Sequence, residues 1–145
     1  MIGVLVKGEQ TSIFEWSIRV YYEDTDAGGV VYHSNYLNYF ERARTELLRS
    51  LGVCQQKLLT ENLGFVVRHV DMDFLQGARL DDSLTVRTSI SELKRASLVF
   101  CQELVNPDGK ALCQAKVKVA CINTATMKPQ AIPSSMTAEL IDSDS

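Results

Sequence analysis

The sequence predicts one α+β domain in which an antiparallel sheet of five strands wraps around one long helix. Its 145 residues suit a single domain. One segment carries apolar residues at helical spacing, whereas the segments around it alternate with a period of two. No repeat, linker or low-complexity tract divides the chain. We therefore expect one domain over residues 1–145, with peripheral termini at roughly 1–12 and 137–145.

The first predicted strand covers residues 13–22, which are rich in aromatic and β-branched side chains. Ile18, Val20 and Tyr22 share one face of it, because side chains on a strand alternate. Residues 23–29 follow, with short acids and a glycine pair that suit capped turns and positive φ angles. The strand is therefore expected to end in a tight, irregular connection.

The long helix is predicted from about Ser34 to Leu51, where apolar residues recur at steps of three and four. Ser34 or Asn35 is expected to cap its start, and Gly52 stands just beyond its end. The wide apolar arc indicates a helix enclosed by other structure. The apolar positions are Tyr36, Leu37, Phe40, Ala43, Leu47, Leu48 and Leu51.

A second, short helix is expected within residues 55–62, and four strands follow it. The last two strands flank residues 106–109, whose proline and glycine suit a tight hairpin turn. Apolar and polar residues alternate cleanly in the final strand, which indicates one buried and one solvated face. A curved sheet around the helix buries both apolar surfaces most simply. The four strands are predicted at residues 65–74, 83–93, 97–106 and 111–123.

Composition argues against several classes of function. The net charge of -3 is spread along the chain with no basic block, so nucleic acid is not an expected partner. The cysteines form no CxxC pair and have no histidine at ligand spacing, which disfavours zinc; no other metal or cofactor is expected. No apolar run is long enough for a signal peptide or a membrane span. The thiols are therefore expected to be buried small hydrophobes in a reducing cytoplasm.

Residues 21–36 read YYEDTDAGGVVYHSNY. This segment resembles the signature of hotdog-fold acyl-CoA thioesterases of the 4-hydroxybenzoyl-CoA thioesterase type, and within them the Tol-Pal-associated acyl-CoA thioesterases. The resemblance extends over nearly all of the chain after about residue 15. Further matching segments are 40–45, 65–68, 78–82, 97–100 and 127–129.

The resemblance implies the hotdog fold, a sheet curled around a central helix, and hydrolysis of acyl-CoA without a cofactor. Acyl carrier protein stays open as an alternative carrier of the acyl group. The resemblance also implies a link to phospholipid or cell-envelope metabolism. A homo-oligomer is expected, as a tetramer built from two dimers, because an open sheet has edges and an outer face to cover.

Three residues match the family's catalytic positions. Asp26 matches its carboxylate, which would attack the thioester carbonyl or deprotonate a water; neighbouring Asp24 is expected only to form the turn. His33 matches its histidine, which would polarise the carbonyl, orient water or protonate the leaving thiolate. Tyr22 matches a tyrosine that would bind the oxyanion or position the other two, although a core tyrosine would look the same in sequence.

Substrate binding is expected at two further places. Gly28 and Gly29 would let substrate approach the backbone, where free amides at the helix start favour an oxyanion. Lys94 and Arg95 match a turn at which relatives hold the coenzyme A nucleotide, and phosphates suit paired cations. A solvated hairpin turn explains this pair equally well. His69 lies in a strand pattern and is expected to be structural.

Three other functions fit the sequence less well. A hotdog hydroxyacyl-thioester dehydratase would have a Pro-Gly-rich entry to its helix, whereas His33 is followed by Ser34–Leu37. A non-catalytic thioester-binding or scaffold protein would not need Tyr22, Asp26 and His33 together. A cysteine-dependent enzyme is disfavoured because no cysteine has a neighbouring histidine.

Overall fold

The computed structural model describes residues 5–6 and 13–142. Its main sheet has five antiparallel strands in the order β2-β4-β5-β6-β3, and β1 and β7 form a separate parallel pair. The predicted five-stranded sheet with one long helix is therefore confirmed. The strands are β1 (Leu5–Val6), β2 (Phe14–Arg19), β3 (Leu63–Phe74), β4 (Ser83–Leu93), β5 (Ser97–Val105), β6 (Ala111–Asn123) and β7 (Ile141–Asp142).

The long helix, α1, runs from His33 to Ser50 and supplies the centre of the core. Its apolar stripe is buried as predicted, except that Leu37 is 43% exposed. Gly52 has φ of +84°, as expected for a residue just past a helix end. The predicted cap at Ser34 or Asn35 is wrong: the N-cap is Tyr32, and no side chain caps the helix start.

The core lies between α1 and one face of the sheet. In β6 the alternation is as predicted, with one set of residues buried and the other exposed. In the turn after β5, Gly109 has φ of +82°, and Asn106 Oδ1 accepts the backbone N–H groups of Asp108 and Lys110. The alternating buried residues of β6 are Cys113, Ala115, Val117, Val119 and Cys121, and Leu112, Ala120 and Ile122 near its ends are buried as well.

Two elements differ from the sequence prediction. Strand β2 ends at Arg19, so Tyr22 does not belong to it but begins a 3₁₀ turn, Tyr22–Asp24. Helix α3, Ser134–Leu140, was not predicted, because its two buried residues are too few to show a helical period. The short helix expected after α1 is present as α2, Gln55–Thr60. None of the helices in the described residues combines the length and apolarity needed to cross a bilayer.

The cysteines follow the prediction only in part. Cys113 and Cys121 are buried, but Cys54 is exposed and Cys101 is half-buried. Burial, reinforced by the negative charge of Asp73, raises the pKa of the Cys113 thiol to about 12. Burial also raises the pKa of Cys121. Both thiols are therefore protonated at neutral pH and are poor nucleophiles.

Candidate active site

A small hairpin of residues 24–32, the Asp26 hairpin, leads directly into helix α1. The Tyr32 N–H donates to the Asp24 carbonyl (2.9 Å), and the Asp26 N–H donates to the Val30 carbonyl (2.9 Å). At its tip, Gly29 adopts φ of +79°, a conformation that favours glycine. The sequence folds this way because the glycine pair permits the turn between two hydrogen-bonded arms.

The Asp26 hairpin is fixed to the rest of the protein on two sides. The Asp24 carboxylate accepts the Tyr21 N–H (2.9 Å), which is the turn-forming role predicted for it. The Asn35 side-chain amide donates to the Asp24 carbonyl (2.9 Å), linking the hairpin to the first turn of α1. The Val31 N–H donates to the Ala78 carbonyl (2.8 Å), linking it to the segment before β4. Asn35 thus acts as a tether rather than a cap.

Asp26 lies exposed on one arm of the hairpin. Its Oδ1 accepts the Gly28 N–H at 2.8 Å, and a Cβ added at Gly28 would lie 3.3 Å from that oxygen. No hydrogen bond from the described residues reaches its Oδ2. The carboxylate is therefore oriented by one oxygen and keeps the other free for water or substrate.

His33 is the first residue of α1 and is exposed. Its ring stacks at a tilt on Tyr32, with centroids 4.4 Å apart, and meets Phe74 edge-on at 6.4 Å. Because no side chain caps α1, the first-turn N–H groups beside His33 lack the usual side-chain acceptor. Phe74 was missed from sequence, since its approach depends on the pairing of β3 at long range.

Tyr22 is 82% exposed, so the possibility of a buried core tyrosine is wrong. Its carbonyl accepts the Thr25 hydroxyl at 2.7 Å, which stabilises the turn before the Asp26 hairpin. The phenol itself has no hydrogen bond to any described residue. Tyr22 is therefore available to a ligand on the same surface as the hairpin.

Lys94 and Arg95 do not lie near the Asp26 hairpin within one chain. The hairpin is anchored just before β4, whereas these two cations follow the last residue of β4. A strand of this length separates its ends by about 33 Å. Lys94 is exposed and pairs with Glu92 at 3.1 Å. Within one chain, the predicted site residues therefore lie in two separate regions, the Asp26 hairpin and the turn that holds Lys94 and Arg95.

The cavities among the described residues include three of about 350, 280 and 190 Å³, and Asp26, His33 and Tyr22 line none of these three. In a single chain these residues therefore form an open surface. The described residues contain no group of three His, Cys, Asp or Glu side chains arranged to hold a metal ion.

The chain is similar in sequence to a known protein family. Residues 20–140 match the thioesterase-like superfamily. The chain is 52% identical over 126 residues to the acyl-CoA thioesterase YbgC of Haemophilus influenzae, covering 86% of this chain and 92% of that protein. It is 49% identical over 129 residues to the acyl-CoA thioester hydrolase YbgC of Escherichia coli O157:H7, covering 89% and 96%.

Among solved structures, a probable thioesterase from Bartonella henselae superposes with a TM-score of 0.76 at 40% identity, covering 85% of this chain and all of that one. The family and the hotdog fold expected from residues 21–36 are confirmed. The chain belongs to the thioesterase-like superfamily.

Proposed function

We propose that this protein is a hydrolase that cleaves acyl-coenzyme A thioesters to a free acid and coenzyme A, with Asp26 as the group on which hydrolysis depends. One observation carries the proposal. The Asp26 hairpin presents a carboxylate with a free oxygen and continues directly into the uncapped N-terminus of α1. The names of the YbgC relatives support the same activity.

The chemistry follows from this arrangement. The Asp26 carboxylate either deprotonates a water that attacks the carbonyl, or attacks the carbonyl itself and forms an anhydride that water then hydrolyses to the free acid. Both routes place negative charge on the carbonyl oxygen. First-turn N–H groups of α1 stabilise that charge, because they carry partial positive charge and need no reorganisation. His33 protonates the departing thiolate or polarises the carbonyl, and Tyr22 donates its hydroxyl to the oxyanion or to Asp26. Gly28 and Gly29 let the thioester approach the backbone.

The test is hydrolysis of an acyl-CoA series that varies in chain length and includes aromatic acids, followed by detection of the released thiol. We expect thiol release well above the spontaneous rate for at least one member. Acyl carrier protein thioesters run in parallel determine which carrier is preferred. A 3-hydroxyacyl-CoA that loses water without releasing thiol would instead support a dehydratase, and ligand binding without either reaction would support a scaffold protein.

The complete site is proposed to form in a homo-oligomer, as a tetramer of two dimers. Within the described residues β3 pairs only with β6, so one edge of this long strand offers unpaired backbone groups. Val67 and Phe74 on β3 are 47% and 53% exposed. Pairing of β3 with a second copy of the chain would cover this edge, and residues of that copy would enclose the exposed surface around His33.

Multi-angle light scattering at micromolar concentration is expected to give four times the mass of one chain, 16.2 kDa. A dimer would retain the paired β3 edge but contradict the tetramer. A monomer would contradict the shared site as well. Val67→Pro, which removes a backbone donor on the side of β3 that faces away from β6, is expected to shift the mass downward, whereas Val67→Ala should not.

Lys94 and Arg95 are proposed to hold the coenzyme A nucleotide of a site in another subunit, because the length of β4 separates them from Asp26 of their own chain. Phosphates lie far from the thioester carbonyl and contribute mainly uniform binding. We therefore expect Lys94→Ala with Arg95→Ala to raise KM for acyl-CoA about 10-fold with little change in kcat.

The same double variant should hydrolyse a pantetheine thioester, which lacks the nucleotide, at nearly the wild-type rate. Lys57→Ala with Lys110→Ala removes the same charge from two other exposed positions and is the matched control. An equal loss on both substrates would show that the pair is structural.

We further propose a cytoplasmic location. Support comes from the four free thiols, which are typical of a reducing compartment, and from acyl-CoA as the proposed substrate. A role in phospholipid or cell-envelope metabolism stays a prediction.

A further inference from the structure

The cavity of about 280 Å³ lies between the C-terminal half of α1 and the inner face of the sheet. Its wall is mixed, with apolar side chains beside the polar residues Glu41, Arg44, Thr45 and Gln55. The apolar wall includes Phe65 on β3, Leu98 and Phe100 on β5, and Val119 on β6. The cavity therefore combines an apolar surface with one cation, one acid and two neutral polar side chains.

Arg44 is only 9% exposed, yet its charge is not neutralised by a close acid. Its Nη1 donates to Gln102 Oε1 at 2.9 Å, and no carboxylate of the described residues lies within 4 Å of it. The Gln102 amide is itself committed, because it donates to the Phe40 carbonyl (2.9 Å) and the Thr88 hydroxyl (3.0 Å). A neutral amide is thus the one side-chain partner of a buried cation.

Two other groups act on this charge. The Phe100 ring lies 5.8 Å from the guanidinium carbon, which gives a weak cation–π attraction. Glu41, an exposed residue one helical turn earlier, also lines the cavity and favours the charged form of Arg44. Burial nevertheless lowers the pKa of Arg44 as the larger effect. A guanidinium has five donors in a planar fork, so most of its binding capacity is unused.

We propose that this cavity binds a free carboxylic acid, with the carboxylate on Arg44 and an apolar body against Phe65, Leu98, Phe100 and Val119. A carboxylate matches the guanidinium fork with two parallel hydrogen bonds and supplies the missing counter-charge. The volume corresponds to about nine water molecules, which suits an acid of about eight carbons.

The site is separate from the group that cleaves the thioester. Residues 33 and 44 lie on one helix, so a rise of about 1.5 Å per residue puts His33 and Arg44 about 16 Å apart along the axis. Acid binding here does not require the chain to be a thioesterase. The reaction proposed above would, however, generate this class of ligand as its product.

Isothermal titration calorimetry with octanoate at neutral pH tests the site in the absence of any thioester, so the result is independent of the proposed hydrolysis. Octanoate is expected to bind wild-type protein at least 10-fold more tightly than octanamide, its neutral analogue. Arg44→Gln should weaken octanoate binding by at least 10-fold and abolish that preference. Arg42→Gln removes the same charge from an exposed position on the same helix and should bind octanoate like wild type.

Equal affinity for octanoate and octanamide in the wild-type protein, or unchanged octanoate binding by Arg44→Gln, would overturn the proposal. If Arg44→Gln fails to fold, Thr45→Phe decides the question. Thr45 lines the cavity from α1 and is half-buried, so a larger side chain there fills the cavity while keeping Arg44 in place. Thr45→Phe should abolish octanoate binding while the protein stays folded. Wild-type affinity in this variant would refute the site.

Discussion

Asp26→Asn is expected to lower kcat by about 100-fold or more while the protein stays folded and still binds acyl-CoA. Asparagine keeps the Oδ1 atom that accepts the Gly28 N–H, so the hairpin turn should survive. The amide can neither attack a carbonyl as a carboxylate nor take a proton from water. If Asp26 only capped the turn, the variant would instead lose about 1 kcal/mol of stability at most and keep its turnover.

Thermal unfolding, ligand binding and thioester hydrolysis should be measured on the same preparation. Asp82→Asn is the matched control, because Asp82 also accepts a turn amide, the Arg79 N–H, at 2.8 Å. Its segment precedes β4, close to the anchor of the Asp26 hairpin, but no catalytic role is proposed for it. Near-wild-type kcat in folded Asp26→Asn would contradict a catalytic role of Asp26. An equal loss of kcat in Asp26→Asn and Asp82→Asn would indicate that both variants act by destabilising their loops.

Gln102→Leu is expected to have the largest effect on stability, lowering the free energy of unfolding by about 3 kcal/mol or more. Leucine removes the acceptor of Arg44 and the donor to the Phe40 carbonyl and the Thr88 hydroxyl. Gln102 is 3% exposed, so water does not replace these bonds. The loss includes a hydrogen bond to a charged group, which exceeds a neutral one in strength.

Urea unfolding at one fixed protein concentration measures this effect, since the stability of an oligomer depends on concentration. Gln114→Leu makes the same chemical change on the exposed face of β6 and should alter stability by less than about 0.5 kcal/mol. If both variants lost a similar amount of unfolding free energy, replacing glutamine by leucine would cost the same at the buried and the exposed position. That outcome would contradict the importance of the buried hydrogen bonds.

Much of the fold could be predicted because the sequence pattern and the local structure agree. The bounds of β4 and β6 were predicted to the residue, and burial alternates through the middle of each strand, at residues 84–90 and 113–119. Strand β2 was predicted too long because aromatic residues continue beyond Arg19 into the 3₁₀ turn. Pattern alone does not distinguish an aromatic residue in a strand from one in a turn that faces solvent.

The candidate site was predictable only where neighbouring residues form it. Asp26 and His33 share one hairpin and helix start, so a local motif contains both. The pairing that brings Phe74 to His33 depends on contacts distant in sequence. Arg44 did carry a signal, because it falls four residues after Phe40 on the buried stripe of α1. A charged residue in such a stripe indicates a buried cation, and the sequence interpretation did not use it.

The strand order also bears on the path of folding. Strands β4, β5 and β6 are neighbours in both sequence and space, so their short turns close at little cost in chain entropy. In contrast, β2 pairs with β4 from Phe14 to Thr88, and the intervening loop contains all of α1. Such distant pairings slow folding, because their entropy is lost before their contacts form. We therefore expect the meander of β4, β5 and β6 to be the least costly nucleus and β2 to pair with β4 after α1 has formed.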